Sequence, residues 1–236
     1  MRSAVTPITF AHRGARAEEP ENTLAAFRRA LERGAEGLET DAWLSSDGQV
    51  VLVHDDVFRR GLRRIRVDRT PAGQLARYGV PRLADLYAEL GTDFELSIDV
   101  KSRAAARPIL ELAGARGAAE RLWLCSPGLR FLRELRDGRA GTHLVHSTSR
   151  RHLPQSLERH AAELGGAGIA AMNLHHSEWT AGLVALFHRF EVRAFAWDVQ
   201  EVRHIRAMIE MGIDAIYCDH VDRMVATVAE FAPRDP

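Results

Sequence analysis

Residues 8–15, ITFAHRGA, join a short apolar run directly to a histidine, an arginine and a glycine. A short apolar run that ends at a turn residue is typical of a buried strand. Seven similar runs follow, and together they predict strands at 8–11, 37–42, 95–100, 121–125, 142–145, 169–173, 192–197 and 215–218. Because segments of helical period separate these runs, we predict an α/β fold, a (β/α)8 TIM barrel in a single domain.

The segments between the runs carry apolar residues at spacings of three and four, which predicts helices with one buried face. Asn22 and Thr23 are candidates for the cap of the first helix, and Gly34 is placed to end it. Two further leucine-rich stripes end before Gly91 and Gly138. Helices and strands therefore alternate along the chain, with no internal repeat or linker.

The composition is that of one globular domain without a basic surface. The 236 residues are 46% hydrophobic, enough for one sizeable core, so we expect a single domain over 1–236. Lys plus Arg equals Asp plus Glu at 32 each, which argues against a nucleic-acid partner. Any anionic ligand must therefore be bound by local charges.

The sequence carries no sign of a targeting signal or an integral membrane segment. The first residues lack the apolar core of a signal peptide, and no stretch has the length of a membrane span. We therefore expect a cytoplasmic location. Cys125 and Cys218 lie far apart in apolar runs, and we expect both to be reduced core residues.

One basic segment departs from the alternation of strands and helices. Residues 59–69 contain six arginines, and we interpret them as a loop or a short excursion at about 57–80. A charge run of this kind is usually a solvated surface. The alternative is attraction of an anionic substrate or a lipid head group.

Charged side chains lie near the carboxyl ends of the first two predicted strands. In a TIM barrel, the carboxyl ends of the strands carry the active site. His12 and Arg13 come directly after the first strand, and an arginine can bind a phosphate through two parallel hydrogen bonds. Gly14 is expected to allow close approach of the backbone to a ligand. Glu39 and Asp41 are two apart on the second strand, so both side chains point to the same face.

The paired carboxylates predict a metal site. Glu39 and Asp41 would repel each other at the rim, and a divalent cation removes that difficulty. Asp99 and Lys101 repeat the spacing on the third strand, about 5 Å away, so Asp99 is the expected third ligand. Three carboxylates favour one hard divalent ion, Mg²⁺ or Ca²⁺, with Mn²⁺ as a third choice. Lys101 either neutralises Asp99 or contacts a phosphate.

A second imidazole is expected at the same rim, because residues 51–56, VLVHDD, form an apolar run that ends in His54 and two acids. One histidine can accept a proton from the nucleophile while the other donates one to the leaving alkoxide. The cation and Arg13 would neutralise the phosphoryl charge. With His12, this set suits the cleavage of a phosphodiester.

The order of these motifs resembles that of the glycerophosphodiester phosphodiesterase family. The motifs are His12-Arg-Gly, Pro20-Glu-Asn-Thr23, Glu39-x-Asp41, Asp47-Gly48, His54-Asp55, Trp197-Asp-Val-Gln200 and a closing strand that ends at Asp219. The resemblance implies a TIM barrel like that of the phosphatidylinositol phospholipases C. It also implies metal-dependent hydrolysis of a small-molecule glycerophosphodiester to glycerol 3-phosphate and an alcohol.

The resemblance implies a function for each matching residue. The catalytic acid and base would be His12 and His54, the metal ligands Glu39 and Asp41, and the phosphate ligand Arg13. The family also implies that the substrate's adjacent glycerol hydroxyl attacks first, through a cyclic phosphate. Water as the first nucleophile is the alternative that the sequence leaves open.

The resemblance extends to the first helix and the late tryptophan, with three departures. Asn22 would support the site, and Trp197 would line the substrate pocket, unless it belongs to the core. Asp99 replaces a family glutamate, which makes this metal ligand one methylene shorter. Asp198 and Gln200 replace a threonine and an asparagine; Asp198 either adds an acid to the rim or alternates outward. The other nine histidines are expected to be structural.

Two other functions compete with this prediction. A lysophospholipase D or phospholipase-C-like phosphodiesterase acting on lipid substrates would use the same metal and histidines. A catalytically silent barrel that binds phosphate esters is suggested by Asp99 and Asp198, although both predicted catalytic histidines are present. The preferred alcohol and the oligomeric state cannot be predicted from the sequence.

Overall fold

Within residues 6–61, 63–136 and 141–232, which the computed structural model describes, eight parallel strands close into a barrel. In chain order the strands are β1 (Ile8–His12), β2 (Gly37–Leu44), β3 (Val50–Leu52), β4 (Val57–Arg60), β5 (Arg63–Arg66), β6 (Glu95–Val100), β7 (Leu122–Ser126), β8 (His143–Ser147), β9 (Ala171–His175), β10 (Arg193–Trp197) and β11 (Ala215–Cys218). The barrel order is β1-β2-β6-β7-β8-β9-β10-β11, and β11 pairs back with β1. The predicted TIM barrel is confirmed.

Helices separate the barrel strands. They are α1 (Leu24–Glu32), α2 (Ala72–Ala76), α3 (Leu83–Leu90), α4 (Ala106–Ala115), α5 (Leu129–Leu135), α6 (Leu157–Gly166), α7 (Ala181–His188), α8 (Val202–Met211) and α9 (Val221–Ala229). Thr23 caps α1, because its hydroxyl accepts a hydrogen bond from the Ala26 amide at 3.2 Å. Gly91 ends α3, as predicted, whereas Gly138 lies outside the described residues.

Two apolar layers hold the barrel together. The larger one lies between the strands and the helices, and the smaller one fills the barrel, where the rings of Phe10 and Tyr217 stack with centroids 4.9 Å apart. Gly37 faces this inner layer, and an added Cβ would lie 2.7 Å from the Phe10 ring. Cys125 and Cys218 are free and buried, as expected. Beyond the inner layer, polar side chains line the mouth at the carboxyl ends of the strands.

Strand register determines which polar residues meet at that mouth. His12 on β1 pairs with Glu39 on β2, and Glu39 pairs with Ser97 on β6. Two residues further along the same strands, Asp41 pairs with Asp99. Neighbouring strands lie about 5 Å apart, so the register brings residues from distant parts of the sequence together.

The basic excursion contains a short hairpin. β4 and β5 pair antiparallel, with Arg59 opposite Arg64 and Arg60 opposite Arg63, and all four arginines are exposed. Apolar side chains at its base join a small cluster that includes Val67 and Leu75. Residue 62 lies outside the described residues. The strand β3, which pairs antiparallel with β2, leads into this excursion.

Candidate active site

A cavity of about 380 Å³ opens at the carboxyl ends of the barrel strands. Its wall includes eight of the nine predicted site residues, namely His12, Arg13, Glu39, Asp41, His54, Asp99, Lys101 and Trp197. The ninth, Asn22, lies behind the wall and contacts Asp41. The fold therefore gathers the predicted residues at one end of the barrel.

His12 lies between two acids at the end of β1. Its Nδ1 atom is 2.6 Å from Oδ1 of Asp219, and its Nε2 atom is 3.8 Å from Oε2 of Glu39. Burial lowers the pKa of the imidazole, but Glu39 and the hydrogen bond with Asp219 outweigh burial, so the pKa of His12 is raised. Asp219 therefore fixes the orientation of the ring and leaves Nε2 on the side of Glu39.

Glu39 is a buried carboxyl group among charged neighbours. It accepts a hydrogen bond from the backbone amide of Arg13 at 3.0 Å. Burial raises the pKa of Glu39 to about 7; His12 offsets part of this rise, and the carboxylates of Asp41 and Asp99 add to it. A cation bound nearby would favour the ionised form of this group.

Lys101 bridges the two aspartates of β2 and β6. Its Nζ atom lies 2.6 Å from Oδ2 of Asp99 and 3.1 Å from Oδ1 of Asp41. Burial opposes the charge on Lys101, but both carboxylates raise its pKa, so the ammonium group stays protonated. Lys101 thus neutralises Asp99 and also lines the cavity, where a phosphate contact is open to it.

Arg13 and Asn22 both have left-handed backbone conformations, with φ of +56° and +55°. Arg13 Nη1 lies 3.0 Å from Oε1 of Glu21, while its buried Nε lies 3.3 Å from Oδ2 of Asp41 without hydrogen-bond geometry. Asn22 donates to Oδ2 of Asp41 at 3.2 Å and accepts from the hydroxyl of Thr40 at 2.7 Å. Asn22 therefore positions Asp41 from outside the cavity.

Gly14 allows close approach to α1, and the expected approach to a ligand stays a prediction. Gly14 has φ of +79°, and an added Cβ would lie 2.7 Å from the carbonyl carbon of Ala26. The neighbouring Ala15 amide donates to the Ala26 carbonyl at 2.9 Å. The glycine is needed because α1 packs directly against the turn that follows β1.

His54 lies on the loop after β3, at the outer edge of the mouth. Trp43 Nε1 donates to the carbonyl oxygen of His54 at 3.2 Å, and His54 Nδ1 lies 2.8 Å from Oδ1 of Asp55. The side chain of His54 is 38% exposed, compared with 28% for His12. Two imidazoles therefore line one cavity, one held inside it and the other accessible at its rim.

Trp197 and Asp198 line the cavity from the end of β10. Trp197 is 39% exposed, so it belongs to the mouth and not to the core. Asp198 has φ of +61°, and its Oδ2 atom lies 3.2 Å from Nε2 of His175. Asp198 thus adds an acid to the rim rather than alternating outward.

The described residues contain one His/Asp group that could hold a metal ion, formed by His175, His176 and Asp198. Their ligand atoms all lie within 4.8 Å of one another. This group was not predicted from the sequence. Two adjacent histidines do not by themselves indicate a metal site, and Asp198 comes beside them only through the pairing of β9 with β10.

The predicted metal ligands are Glu39, Asp41 and Asp99. In the part of the chain that the structure describes, their oxygen atoms do not come as close together as the ligand atoms of His175, His176 and Asp198. Lys101 lies between Asp41 and Asp99 and contacts both. Their chemistry still fits a hard divalent ion. Three carboxylate groups share one mouth, and the pKa of Glu39 is raised there by burial first and then by the charges of Asp41 and Asp99.

Two contacts at the site were not predicted from the sequence. Asp219, directly after β11, contacts His12, and Glu21 forms an ion pair with Arg13. Both residues lie inside motifs that were recognised without a function being given to them. For Asp219, its place at the carboxyl end of a barrel strand was the available signal.

A family model described as the glycerophosphoryl diester phosphodiesterase family matches residues 12–223. The chain belongs to this family. A glycerophosphodiester phosphodiesterase from Caldanaerobacter subterraneus subsp. tengcongensis is 25% identical to it over 94% of this chain and 97% of the relative. The predicted enzyme class, a phosphoric diester hydrolase for glycerophosphodiesters, is confirmed at this level.

Solved structures of the family share the fold. A glycerophosphodiester phosphodiesterase from Thermotoga maritima superposes with a TM-score of 0.81, at 24% identity, over 93% of this chain and 97% of that one. A phosphodiesterase from Oleispira antarctica, in complex with the product sn-glycerol-3-phosphate, has a TM-score of 0.81 at 19% identity, over 95% and 97% of the two chains. In the described part of this family member, no helix is both long and apolar enough to cross a membrane.

Proposed function

We propose that this family member hydrolyses glycerophosphodiesters to glycerol 3-phosphate and an alcohol, with a divalent cation and two histidines. The observation that carries the proposal is that His12 and His54 line one cavity together with three carboxylates. The complex of the Oleispira antarctica relative with glycerol 3-phosphate supports the choice of product. The names of the relatives favour neither a lysolipid substrate nor a silent barrel.

The two histidines would divide the proton transfers. The contact with Asp219 favours a proton on Nδ1 of His12, which leaves Nε2 as the atom that exchanges protons in the cavity. Asp55 holds Nδ1 of His54 in the same way, at 2.8 Å. One imidazole would accept the proton of the attacking hydroxyl, and the other would protonate the leaving alkoxide.

The charged groups around the histidines would bind the phosphate and one metal ion. Glu39, Asp41 and Asp99 would hold Mg²⁺ or Ca²⁺, with Mn²⁺ as the third choice. When bound, the ion supplies positive charge that stabilises the phosphoryl oxygens. Arg13 and Lys101 would add cationic hydrogen-bond donors to the same oxygens.

The remaining residues would shape the pocket. Trp197 presents an apolar ring surface at the mouth, suited to the carbon skeleton of the glycerol or of the alcohol. Asn22 would hold Asp41 in place through the bond at 3.2 Å. A small-molecule glycerophosphodiester as the substrate of this chain, the lack of a nucleic-acid partner and a cytoplasmic location stay predictions.

The test is a panel of glycerophosphocholine, glycerophosphoethanolamine and glycerophosphoglycerol, assayed for glycerol phosphate release after chelation and with each ion restored. The proposal expects activity that returns with a divalent ion. Activity on lysolipid vesicles alone would replace the soluble substrate with a lipid. Tight binding without turnover would instead identify a silent barrel.

A further inference from the structure

A second cluster of ligating side chains lies at the mouth, on the β9 and β10 side. His175 is the last residue of β9, and His176 begins the 3₁₀ turn His176–Glu178. Asp198 follows β10 directly, and the register of the two strands pairs His175 with Trp197. The cluster therefore joins two neighbouring βα connections at the rim of the cavity.

The geometry of this cluster is close to that of a metal site. The three ligand atoms lie within 4.8 Å of one another, and His175 Nε2 is 3.2 Å from Oδ2 of Asp198. Ligands of a tetrahedral zinc ion, each at about 2.0–2.1 Å, lie roughly 3.3–3.5 Å apart. The His175 and Asp198 atoms already have almost this spacing, so the remaining adjustment falls on His176, whose ring is partly exposed.

Neighbouring groups can hold two of the ligands in the orientation that a metal ion requires. Ser177 Oγ lies 2.8 Å from Nδ1 of His175 and can accept a hydrogen bond from it. With the proton on Nδ1, the lone pair of Nε2 is available to an ion. In the other tautomer, Nδ1 accepts from the Ser177 amide at 3.3 Å and Nε2 donates to Asp198. Gln200 Nε2 donates to Oδ1 of Asp198 at 3.2 Å, which leaves Oδ2 directed at the cluster.

The ring of His176 is also oriented by its surroundings. It stacks on His204 of α8, with ring centroids 4.3 Å apart and an interplanar angle of 27°. On its other side, the ring centroids of His175 and His176 are 4.4 Å apart. The histidine pair is therefore packed into the rim.

The ligand set selects a different ion from the one expected at the carboxylates. Two imidazoles and one carboxylate suit a borderline transition metal such as Zn²⁺, whereas Mg²⁺ and Ca²⁺ prefer oxygen ligands alone. Asp198 completes the set, because the register of β9 and β10 brings it beside the two histidines. Three protein ligands leave a zinc ion one open position.

We propose that His175, His176 and Asp198 form a second metal site, for a zinc-type ion, beside the carboxylate site of the same mouth. The site holds the β9–α7 and β10–α8 connections together. Asp198 also lines the cavity, so the second site adjoins the carboxylate site.

The test measures Zn²⁺ binding to the full chain by equilibrium dialysis in excess Mg²⁺, which competes for the oxygen-rich site. One Zn²⁺ per chain is expected, with an increase in melting temperature. His176→Gln and Asp198→Asn should each weaken Zn²⁺ binding at least tenfold and abolish that increase. Both positions are partly or fully exposed at the rim, so the variants should fold.

Two controls separate this site from other metal binding. His188 forms another His/Asp pair, 2.7 Å from Asp214, in a different pocket, and His188→Gln should leave Zn²⁺ binding unchanged. Glu39→Gln should keep Zn²⁺ binding while it disturbs the carboxylate site, so this inference can stand even if the proposed reaction does not. Absence of Zn²⁺ binding in the unmodified chain, or equal binding by the unmodified chain, His176→Gln and Asp198→Asn, would overturn the proposal.

Discussion

Two histidines of the barrel, one at its mouth and one in the helix layer, show how the surroundings of an imidazole shift its pKa. His12 points into the mouth, where Asp219 and Glu39 surround it and its pKa is raised. His146 on β8 lies between Val145 of the inner layer and Ser147 of the cavity wall, so its side chain points outward to the helices.

The environment of His146 favours the neutral ring. Its Nδ1 atom is 3.2 Å from Nε2 of His160 on α6, and its Nε2 atom is 3.1 Å from the carbonyl of Pro127. Burial, followed by repulsion from His160, lowers the pKa of His146 to about 4. Acid partners at the mouth thus favour the imidazolium form, whereas a second imidazole in the helix layer opposes it.

The largest expected effect is on turnover, from substitutions of the two histidines at the mouth. His12→Ala and His54→Ala should each reduce turnover by at least about 100-fold, because each removes a group that transfers a proton. Steady-state rates with saturating metal would measure this, and circular dichroism would check the fold. His152→Ala, at an exposed surface position, is the matched control and should retain the full rate. Near-normal rates in His12→Ala or His54→Ala would remove that histidine from the mechanism.

A smaller effect is expected from the partner of His12. Asp219→Asn keeps the size of the side chain but removes the charge that holds Nδ1, and turnover should fall about 10- to 100-fold. The loss should appear in kcat more than in KM, because Asp219 acts through the histidine. A change in KM alone would show instead that Asp219 contacts the substrate.

These two residues show how far the sequence could go. The position of His12 was predictable, because the motif His12-Arg-Gly directly follows the first predicted strand and contains residue types that bind phosphates and transfer protons. The contact with Asp219 spans 207 positions and depends on the closure of β11 onto β1, which no local pattern encodes. The same reason explains the missed group at His175 and Asp198, whose members meet only through the β9 and β10 register.

The fold itself was more predictable than the site. The strands at Glu95–Val100 and Ala215–Cys218 begin and end as predicted, because buried parallel strands are continuous apolar runs bounded by polar residues. The hairpin at β4 and β5 was missed, because its arginines hide the alternation that would indicate paired strands. The contact of Gly14 with α1 was not predicted either, because it depends on how α1 packs against the turn after β1.

The smallest expected effect is on the pH dependence of stability, and it comes from His146 in the helix layer. The pKa of His146 is lowered in the folded state, so the unfolded chain binds this proton more readily than the folded protein does. The stability associated with the neutral ring is therefore complete above about pH 6.5 and is lost as the pH falls toward 4. Between about pH 7.5 and 5, the free energy of unfolding should decrease by roughly 1–2 kcal/mol from this group. Urea unfolding at the two pH values would measure the decrease.

The variant for that measurement is His146→Gln, which keeps a donor for the Pro127 carbonyl but cannot titrate. Its stability should depend less on pH than that of the unmodified protein, whereas His152→Gln should behave as the unmodified protein does. An equal loss of stability in His146→Gln on acidification would mean that His146 is not the group responsible.

The proposed hydrolysis depends on a divalent ion held by the carboxylates beside His12. The most direct test is glycerol phosphate release from the three glycerophosphodiesters, first after chelation and then with Mg²⁺, Ca²⁺ or Mn²⁺ restored, for the unmodified chain and Glu39→Ala. We predict activity that disappears on chelation, returns with at least one of these ions, and does not return in Glu39→Ala. Full activity in the chelator, or in Glu39→Ala, would contradict the account.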